Sequence, residues 1–288
     1  MSQAVVCILQ THLASRELNG QPSLAASTTS FGGTVSDSDQ VAIITGSTSG
    51  IGLALARSAL DRGMRVVLTS RSAEKVSRAE QEFAHIDDRV LGLAADLRDP
   101  EQVEGLVQQT DARFGRIDLL INNAAGLFFS RAENITPNGW RAIIDTNLNA
   151  AFLCCRAVFP VMKRQSQGCI LNISSSAAYG PHPGAAHYAA SKAALNSLTK
   201  TLAVEWARNG IRVNGVALGP VLTDASRFHD PEVRAAMERE QPTGRIATPD
   251  EAANIILSLA AIESSYFTGE TVRIDGGFRS VLQSPLGP

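Results

Sequence analysis

Several features that mark specialised classes of protein are scarce in this chain of 288 residues. Aromatic residues make up only 5% of it, and 26 Lys and Arg residues nearly balance 28 Asp and Glu residues. Nucleic-acid-binding proteins carry a basic surface, so this balance argues against a nucleic-acid partner. The longest strongly apolar runs are shorter than the ~18–20 residues that a transmembrane helix needs, so we expect no membrane partner.

The four cysteines and five histidines lack the spacing of a metal site or a disulfide framework. No C-x-x-C pair is present, and Cys154 and Cys155 are neighbours whose side chains point in different directions on a helix. The histidines show neither the H-x-x-x-H nor the H-E-x-x-H pattern of zinc sites. The sequence therefore predicts no metal ion, reduced cysteines and a cytoplasmic location, with organellar targeting by the N-terminal segment as the alternative.

The first 38 residues differ in character from the rest of the chain. They are rich in Ser and Thr and show no sustained hydrophobic period. Their apolar run at 4–9 is short for the ~7–15-residue core of a signal peptide. We therefore interpret residues 1–38 as a flexible leader and residues 39–288 as one domain.

From Gln40 onward, short β-branched runs alternate with segments of helical length. The runs are largely apolar throughout, which is typical of parallel strands buried on both faces. Right-handed crossovers between such strands produce an α/β fold with a doubly wound parallel sheet and helices on both faces. The seven predicted strands lie at 41–45, 65–70, 89–96, 117–123, 169–174, 211–217 and 271–275.

The first predicted strand continues directly into a glycine-rich loop, TGSTSGIG at 45–52, which is followed by a helical segment. Glycines let the backbone turn tightly and approach a pyrophosphate, and the N-terminus of the next helix offers free N–H groups to it. The G-x-x-x-G-x-G spacing differs from the common G-x-G-x-x-G fingerprint, and the Lys-Ser/Thr of a phosphate-hydrolysing loop is missing. The loop predicts dinucleotide binding by Gly46, Thr48, Ser49, Gly50, Ile51 and Gly52.

The end of the second predicted strand indicates which dinucleotide is bound. Ser70 and Arg71 stand about twenty residues after the loop, where an NAD enzyme usually carries an acidic residue for the ribose 2′-hydroxyl. An arginine suits a 2′-phosphate instead, and Ser70 adds a hydroxyl, so we expect NADP(H) in preference to NAD(H). The alternative is an arginine that is simply solvated at the start of a helix.

Three polar residues in the middle of the chain indicate proton-transfer chemistry. Tyr188 is the only tyrosine with a lysine four residues later, and on a helix this spacing places Tyr188 and Lys192 on one face. A neighbouring ammonium favours the phenolate, so we expect Lys192 to lower the pKa of Tyr188, assisted by the charge of an oxidised nicotinamide. Ser175, at the end of a predicted strand, can hydrogen-bond a substrate oxygen on which charge develops.

These motifs follow one another in the order and rough spacing of a known family. TGSTSGIG, NNAAG at 122–126, Asn147, Ser175, YAASK at 188–192 and IDGG at 274–277 resemble the short-chain dehydrogenase/reductase family. The likeness covers about residues 40–278. It implies a single Rossmann-type domain, hydride transfer with NAD(P), and assembly as a homodimer or homotetramer.

The resemblance also implies a role for each motif. Tyr188 is implied to be the general acid/base, Lys192 to bind the nicotinamide ribose, Ser175 to hold the substrate oxygen and Asn147 to position a water of the proton relay. Asp96 is implied to contact the adenine. The remaining implied cofactor contacts are Leu97, Asn123, Ala124, Gly126, Gly219, Val221 and Thr223.

Two further segments bear on the substrate. Residues 126–152 are similar to the enoyl- and dienoyl-CoA reductase branch of the family, which reduces C=C bonds and often lacks the complete Ser/Tyr/Lys set. The complete set here favours a small-molecule carbonyl or alcohol substrate. Enoyl- or dienoyl-CoA reduction and a non-catalytic nucleotide-sensing role are the alternatives. Residues 220–245 form a long stretch without a strand pattern and are predicted to be a substrate lid.

Overall fold

The computed structural model of the chain describes residues 39–224, 226 and 230–277, apart from the side chain of Asp87. The predicted leader at 1–38 and part of the predicted lid at 220–245 lie outside the described residues.

Seven strands form one parallel sheet in the order β3-β2-β1-β4-β5-β6-β7. The doubly wound α/β fold predicted from the sequence is confirmed, and every predicted strand is present with ends that differ by two residues or fewer. The strands are β1 (Val41–Thr45), β2 (Arg65–Ser70), β3 (Val90–Ala94), β4 (Leu119–Asn122), β5 (Gly168–Ser175), β6 (Ile211–Leu218) and β7 (Thr271–Ile274).

Helices cover both faces of this sheet. The helices are α1 (Gly50–Asp61), α2 (Ala73–Glu82), α3 (Pro100–Phe114), α4 (Pro137–Ile144), α5 (Ala150–Gln165), α6 (Ala186–Trp206), α7 (Pro231–Glu240) and α8 (Pro249–Ala260). Apolar residues of α1, α2 and α8 pack in one core on the first face, and those of α3, α5 and α6 pack in a second core on the other. The central strands are buried by both layers, which explains why their sequences are apolar without alternation.

Local sequence signals set several helix ends. The Asp99 side chain accepts a hydrogen bond from the N–H of Glu101 at the start of α3, and Gly115 ends that helix with a φ of 73°. Thr248 and Glu251 form a capping box at the start of α8. Such contacts satisfy backbone groups that have no partner within the helix, so the boundaries follow from the sequence.

A π-helical turn, Asp145–Asn149, joins α4 and α5 into one helix of 29 residues, Pro137–Gln165. By length and composition alone this helix is apolar enough to cross a membrane. In the fold, its apolar residues Cys155, Val158 and Met162 are fully buried in the second core. Packing on the sheet therefore accounts for part of the apolar character of this helix, since 39% of its apolar window is buried and Trp140 and Phe152 stay exposed.

The strand order reverses between β1 and β4, which are neighbours although two strands separate them in sequence. In open α/β sheets, ligands bind at such a switch point, beyond the carboxyl ends of the strands. The glycine-rich loop follows β1 there, and the NNAAG loop follows β4. Within the predicted lid, α7 is helical and Val221 pairs with Ala247 in an isolated parallel bridge.

Candidate active site

The glycine-rich loop has a backbone that only glycine fits well. Gly46 and Gly50 have φ values of 65° and 54°, in the left-handed region that other residues avoid. A Cβ on Gly52 would overlap the carbonyl oxygen of Gly46 and lie 2.7 Å from Asn123 Nδ2. The loop is therefore packed closely against its own helix and against the NNAAG loop.

Thr45 and Asn123 hold these two loops together. The Thr45 hydroxyl accepts hydrogen bonds from the N–H groups of Asn123 and Ala124, both at 2.9 Å. Asn123 Nδ2 in turn donates to the carbonyl oxygens of Thr45 and Gly46, at 2.9 and 3.3 Å. These bonds place the predicted cofactor residues Gly46, Asn123 and Ala124 side by side at the switch point.

The N-terminus of α1 is available to an anion. Ser49 occupies the N-cap, its side chain makes no capping hydrogen bond, and the first turn contains no acidic residue. Thr48 and Ile51 are half-buried, and Ile51 packs on the first core. A Cβ on Gly50 would lie 3.4 Å from the Thr223 side chain, so Thr223 reaches this end of the loop. Free N–H groups and a helix dipole suit a diphosphate here.

Gly219 and Val221 are the other two predicted cofactor contacts after β6, and their neighbours differ from those of Thr223. The Gly219 N–H donates to the Ile274 carbonyl at 2.8 Å, and a Cβ on Gly219 would lie 2.7 Å from the Asp275 Cα. Val221 is buried and pairs with Ala247. Their contacts hold the turn after β6 against β7 and the segment before α8, whereas Thr223 is brought to the glycine-rich loop.

Two guanidinium groups and one carboxylate lie beyond the ends of β2 and β3. Asp96 Oδ1 accepts from Nε of Arg98 at 2.9 Å, and Arg98 Nη2 pairs with Oδ2. This hydrogen-bonded pair lowers the pKa of Asp96 to about 2, and the charge of Arg71 contributes in the same direction. Ser70 accepts a hydrogen bond from the Ser72 N–H, and Leu97 is buried. The carboxylates of Asp99 and Asp145 also act on this cluster, on Asp96 and on Arg98 respectively.

Ser175, Tyr188 and Lys192 converge at the carboxyl edge of β5. Ser175 is the last residue of β5, and α6 carries the other two on one face. Tyr188 and Ser175 are hydrogen-bonded through their side chains, and Lys192 Nζ lies 5.8 Å from the centroid of the Tyr188 ring. The fold thus brings the three predicted catalytic groups together.

The electrostatics of this group are set mainly by burial. Burial raises the pKa of Tyr188, and the hydrogen bond from Ser175 offsets this only in part. Lys192 donates to the Ile173 carbonyl at 2.7 Å, and burial lowers the pKa of its amine to about 8. Among the groups of the chain alone, burial is the largest influence on the pKa of Tyr188 and no lowering by Lys192 is seen. The expected lowering includes the charge of an oxidised nicotinamide and stays a prediction.

Asn147 lies buried in the π-helical turn and joins three parts of the site. Its Oδ1 accepts from the Gly126 N–H at 2.7 Å, while Nδ2 donates to the Gly126 carbonyl at 3.0 Å and to Ser191 Oγ at 3.1 Å. Both amide hydrogens are thus used by protein atoms. Its implied role in positioning a water stays a prediction.

Sequence reasoning missed four residues that support the site. Ser191 donates to the Tyr188 carbonyl at 2.7 Å, and Ser47 accepts from the Thr69 N–H at 2.9 Å and so ties the glycine-rich loop to β2. Thr45 and Arg98 have the contacts given above. The sequence signal that could have found the hydroxyl residues among them is a Ser or Thr at the end of a strand or near a predicted catalytic residue. Only the fold shows which groups these hydroxyls bond. In the described part of the chain, no group of three or more His, Cys, Asp or Glu side chains is placed to hold a metal ion.

Comparison with known proteins gives a consistent result. The model of a family described as Enoyl-(Acyl carrier protein) reductase matches residues 46–279. A probable 2,4-dienoyl-CoA reductase of Bacillus subtilis is 38% identical over 82% of this chain and 94% of its own length. A 3alpha-hydroxysteroid dehydrogenase of Mediterraneibacter gnavus is 36% identical over 84% of this chain and 98% of its own.

Solved structures agree with these relatives. A short chain dehydrogenase from Bacillus anthracis is 37% identical, with a TM-score of 0.79 over 86% of this chain and all of its own. A gluconate 5-dehydrogenase from Burkholderia cenocepacia, in complex with NADP and tartrate, is 33% identical, with a TM-score of 0.80 over 84% of this chain and 96% of its own. The chain belongs to the short-chain dehydrogenase/reductase family of NAD(P)-dependent oxidoreductases.

Proposed function

We propose that the protein is an NADP(H)-dependent oxidoreductase of carbonyl and secondary alcohol substrates, with Tyr188 as the general acid/base. The observation that carries this proposal is the convergence of Ser175, Tyr188 and Lys192 at the carboxyl edge of the sheet. The glycine-rich loop and the uncapped start of α1 lie at the neighbouring switch point. When bound, the cofactor supplies or accepts the hydride.

The chain's own groups suit the proton side of this reaction. Ser175 and Tyr188 present hydroxyls to the same space, so a substrate oxygen that bonds both is held next to the phenolic proton. Because burial keeps the phenol protonated, Tyr188 can donate that proton as negative charge develops on a carbonyl oxygen. In the reverse direction, Tyr188 takes the proton from the alcohol, and the ammonium of Lys192 stabilises the phenolate.

The residues present fit a dinucleotide. Gly46 and Gly50 give the loop its left-handed backbone, and the N–H groups at the start of α1, where no side chain caps the helix and no acidic residue stands, would hold the diphosphate. The Arg71 guanidinium lies near Asp96 at the end of β2, where it would pair with a 2′-phosphate. The gluconate 5-dehydrogenase described above, a 33% identical relative, is in complex with NADP.

Replacement of Tyr188 by phenylalanine tests the catalytic proposal. We expect Tyr188→Phe to lose turnover by about 10²–10⁴-fold, because the proton donor is gone, while NADPH binding changes little. Ketone-dependent oxidation of NADPH gives the first quantity and a fluorescence titration gives the second. Tyr266→Phe, at a tyrosine that is 99% exposed, is the matched control and should behave as the parent. Full turnover in Tyr188→Phe would remove this residue from the mechanism.

Replacement of Arg71 by alanine tests the cofactor preference. We expect Arg71→Ala to weaken NADPH binding by about 10–100-fold, the worth of charge-assisted hydrogen bonds to a phosphate, and to leave NADH binding unchanged. Dissociation constants for both cofactors provide the measurement. Arg78→Ala removes an exposed arginine of α2 that pairs with Glu74, and it should alter neither constant. Tighter binding of NADH than of NADPH by the parent protein would contradict the preference.

Reduction of an enoyl- or dienoyl-CoA is the second candidate. It is favoured by the 38% identity to a probable 2,4-dienoyl-CoA reductase and by the description of the matching family model. The two candidates differ in the bond that is reduced. Turnover of a dienoyl-CoA with NADPH, without turnover of ketones or alcohols, would establish this alternative.

We also propose that the enzyme acts as a homodimer or homotetramer in the cytoplasm. Trp140 and Phe152, on the long helix, and Val204, on α6, are large apolar side chains that are exposed in the single chain. Exposed apolar surface of this kind supports a subunit contact. In the part of the chain that the structure describes, Cys154, Cys155 and Cys169 are free thiols, which is in keeping with a reducing compartment.

A further inference from the structure

Three consecutive apolar side chains follow the NNAAG loop and face solvent. Leu127, Phe128 and Phe129 are 46%, 38% and 48% exposed in a chain with few aromatic residues. Exposed apolar side chains cost solvation free energy when they are contiguous, so such a patch indicates a contact made with something else. This patch begins directly beside the predicted cofactor residue Gly126.

The patch is held in place by contacts on both sides. The Ser130 N–H donates to the Gly184 carbonyl at 2.8 Å, which ties this loop to the segment before α6. The Phe128 ring stands edge-on to the ring of His187, with centroids 4.2 Å apart. The Phe129 ring lies 6.4 Å from that of His182. We call Leu127, Phe128, Phe129, His182 and His187 the aromatic wall.

The aromatic wall adjoins the phenol that handles the proton. The His182 ring is 6.4 Å from the Tyr188 ring, centroid to centroid, and His187 precedes Tyr188 in α6. His187 Nδ1 accepts a hydrogen bond from the Tyr188 N–H at 3.0 Å, and its Nε2 is buried with no protein partner in the described part of the chain. The imidazole is fully buried, so it supports the Phe128 ring from beneath and does not itself face solvent.

None of the five side chains of the wall is a Lys, Arg, Asp or Glu. The first cation after it along the chain is Arg131, which is exposed and already has the Glu133 carboxylate at 3.9 Å. The tail of a coenzyme A thioester carries several phosphates, which need cations that are free to bind them. Flat aromatic faces instead suit apolar rings, which they contact over a large area with few rotamers lost.

We propose that the aromatic wall binds a bulky, uncharged, ring-bearing ketone or alcohol, and that Phe129 is the main residue selecting it. This inference rests on the proposed function, because the ring of the substrate must place its oxygen beside Ser175 and Tyr188. Phe129 is the most exposed member of the patch, so it offers the most apolar surface to a bound ring.

The test compares ketones of different shape on the parent protein and on variants of Phe129. We expect kcat/KM for 2-decalone to exceed kcat/KM for 2-butanone by about a hundredfold, because the two fused rings of 2-decalone bury more apolar surface against the wall. Phe129→Ala should reduce kcat/KM for 2-decalone about tenfold, through KM, and leave 2-butanone unchanged. Phe129→Leu should lie between the two. Tyr266→Ala, which removes an exposed aromatic elsewhere, is the matched control and should change neither.

Several outcomes would overturn the inference. An equal loss on both ketones in Phe129→Ala would mean that the ring only supports the fold, and better turnover of 2-decanone or acetoacetyl-CoA than of 2-decalone would mean that the wall does not select rings. If no ketone or alcohol is turned over, the proposed function fails instead. In that case, calorimetry of 2-decalone with the NADPH-loaded protein tests whether the wall binds rings. Binding of 2-decalone that Phe129→Ala weakens supports the inference, and absence of binding overturns it.

Discussion

Lys192 illustrates how a functional residue acts against the stability of its own fold. Its side chain is only 2% exposed, and its hydrogen bond to the Ile173 carbonyl does not replace the lost hydration of the ammonium. The pKa therefore falls from the ordinary 10.5 to about 8. Below pH 8 the amine is charged in both the folded and the unfolded chain, so the cost of burying the charge is present in full. Between pH 8 and 10.5 only the folded chain releases its proton, so the free energy of unfolding rises with pH.

Replacement of Lys192 by methionine should separate stability from activity. A lowered pKa of this size corresponds to roughly 3 kcal/mol at pH 7, and the lost hydrogen bond costs roughly 1 kcal/mol, so we expect Lys192→Met to raise the free energy of unfolding by roughly 2 kcal/mol at pH 7. Its turnover should nevertheless fall, because no cation then supports the Tyr188 phenolate. Urea unfolding at pH 7 and pH 10 measures the first effect.

The comparison at two pH values provides the decisive signature. The gain in free energy of unfolding that Lys192→Met has over the parent should be smaller at pH 10, where the amine of the folded parent is neutral. Lys200→Met, at an exposed lysine of the same helix, should show no such dependence. A Lys192→Met protein that is less stable than the parent at pH 7 would contradict the assignment of the buried charge as a destabilising group.

Sequence reasoning proposed the catalytic residues but did not predict the electrostatics around them. The spacing of Tyr188 and Lys192 along a helix was enough to place both side chains on one face. The direction in which the pKa of Tyr188 moves depends on how much water α6 and β5 exclude, and the sequence does not contain that quantity. The same limit hid Ser191, whose hydroxyl connects Asn147 to the backbone of Tyr188 across two different elements.

At the scale of elements, the turn from β1 into α1 shows why a glycine can be required without unusual backbone angles. Gly52 lies in α1, and what excludes a side chain there is the carbonyl of Gly46 and the amide of Asn123. Gly105 lies inside α3, and a Cβ there would meet no atom within 4 Å. Both glycines lie in helices, but the space beside Gly52 is filled by other atoms and the space beside Gly105 is empty.

Substitution of each of these glycines by alanine should therefore have opposite effects. Gly52→Ala should displace the loop and weaken binding of NADPH at least about tenfold, since the overlap must be relieved by moving Gly46 or Asn123. Gly105→Ala should leave binding unchanged and stabilise the protein by about 0.5–1 kcal/mol, because alanine favours the helix. Fluorescence titration and thermal unfolding provide the two readouts. Unaltered NADPH binding in Gly52→Ala would show that the loop can yield without loss of the site.

Strands and helices were predicted correctly where the hydrophobic pattern of the sequence extends over the whole element. The inner strands were predicted because burial on both faces leaves continuous apolar runs, as in Val41–Thr45, and the edge strands β3 and β7, which are only half-buried, still carry short apolar or β-branched runs. The π-helical turn Asp145–Asn149 was not predicted, because nothing in its composition distinguishes it from the α-helices on either side. Its function in the fold, which is to bring Asn147 to Gly126 and Ser191, depends on contacts made after the helix packs.

At the scale of the whole molecule, the site exists because strand order differs from sequence order. The glycine-rich loop, the end of β2, Asp96, the NNAAG loop and Ser175 follow five different strands, and a parallel sheet collects all these ends at one edge. The reversal between β1 and β4 opens the crevice at that edge. The core on each face then holds α1 and α6 against the sheet, so the N–H groups and the catalytic phenol approach from fixed directions.

The sequence alone determined the fold class and the family resemblance and led to the proposed catalytic and loop residues, because periodicity and motif spacing are local properties of the chain. Tertiary structure alone decided which residues bond each other across elements, that Gly219 and Val221 turn toward β7 and Ala247 while Thr223 reaches the loop, and that the aromatic wall stands beside Tyr188. Distances between distant segments and the exclusion of water are properties of the packed molecule. They arise only when the sheet and its two helical layers are assembled.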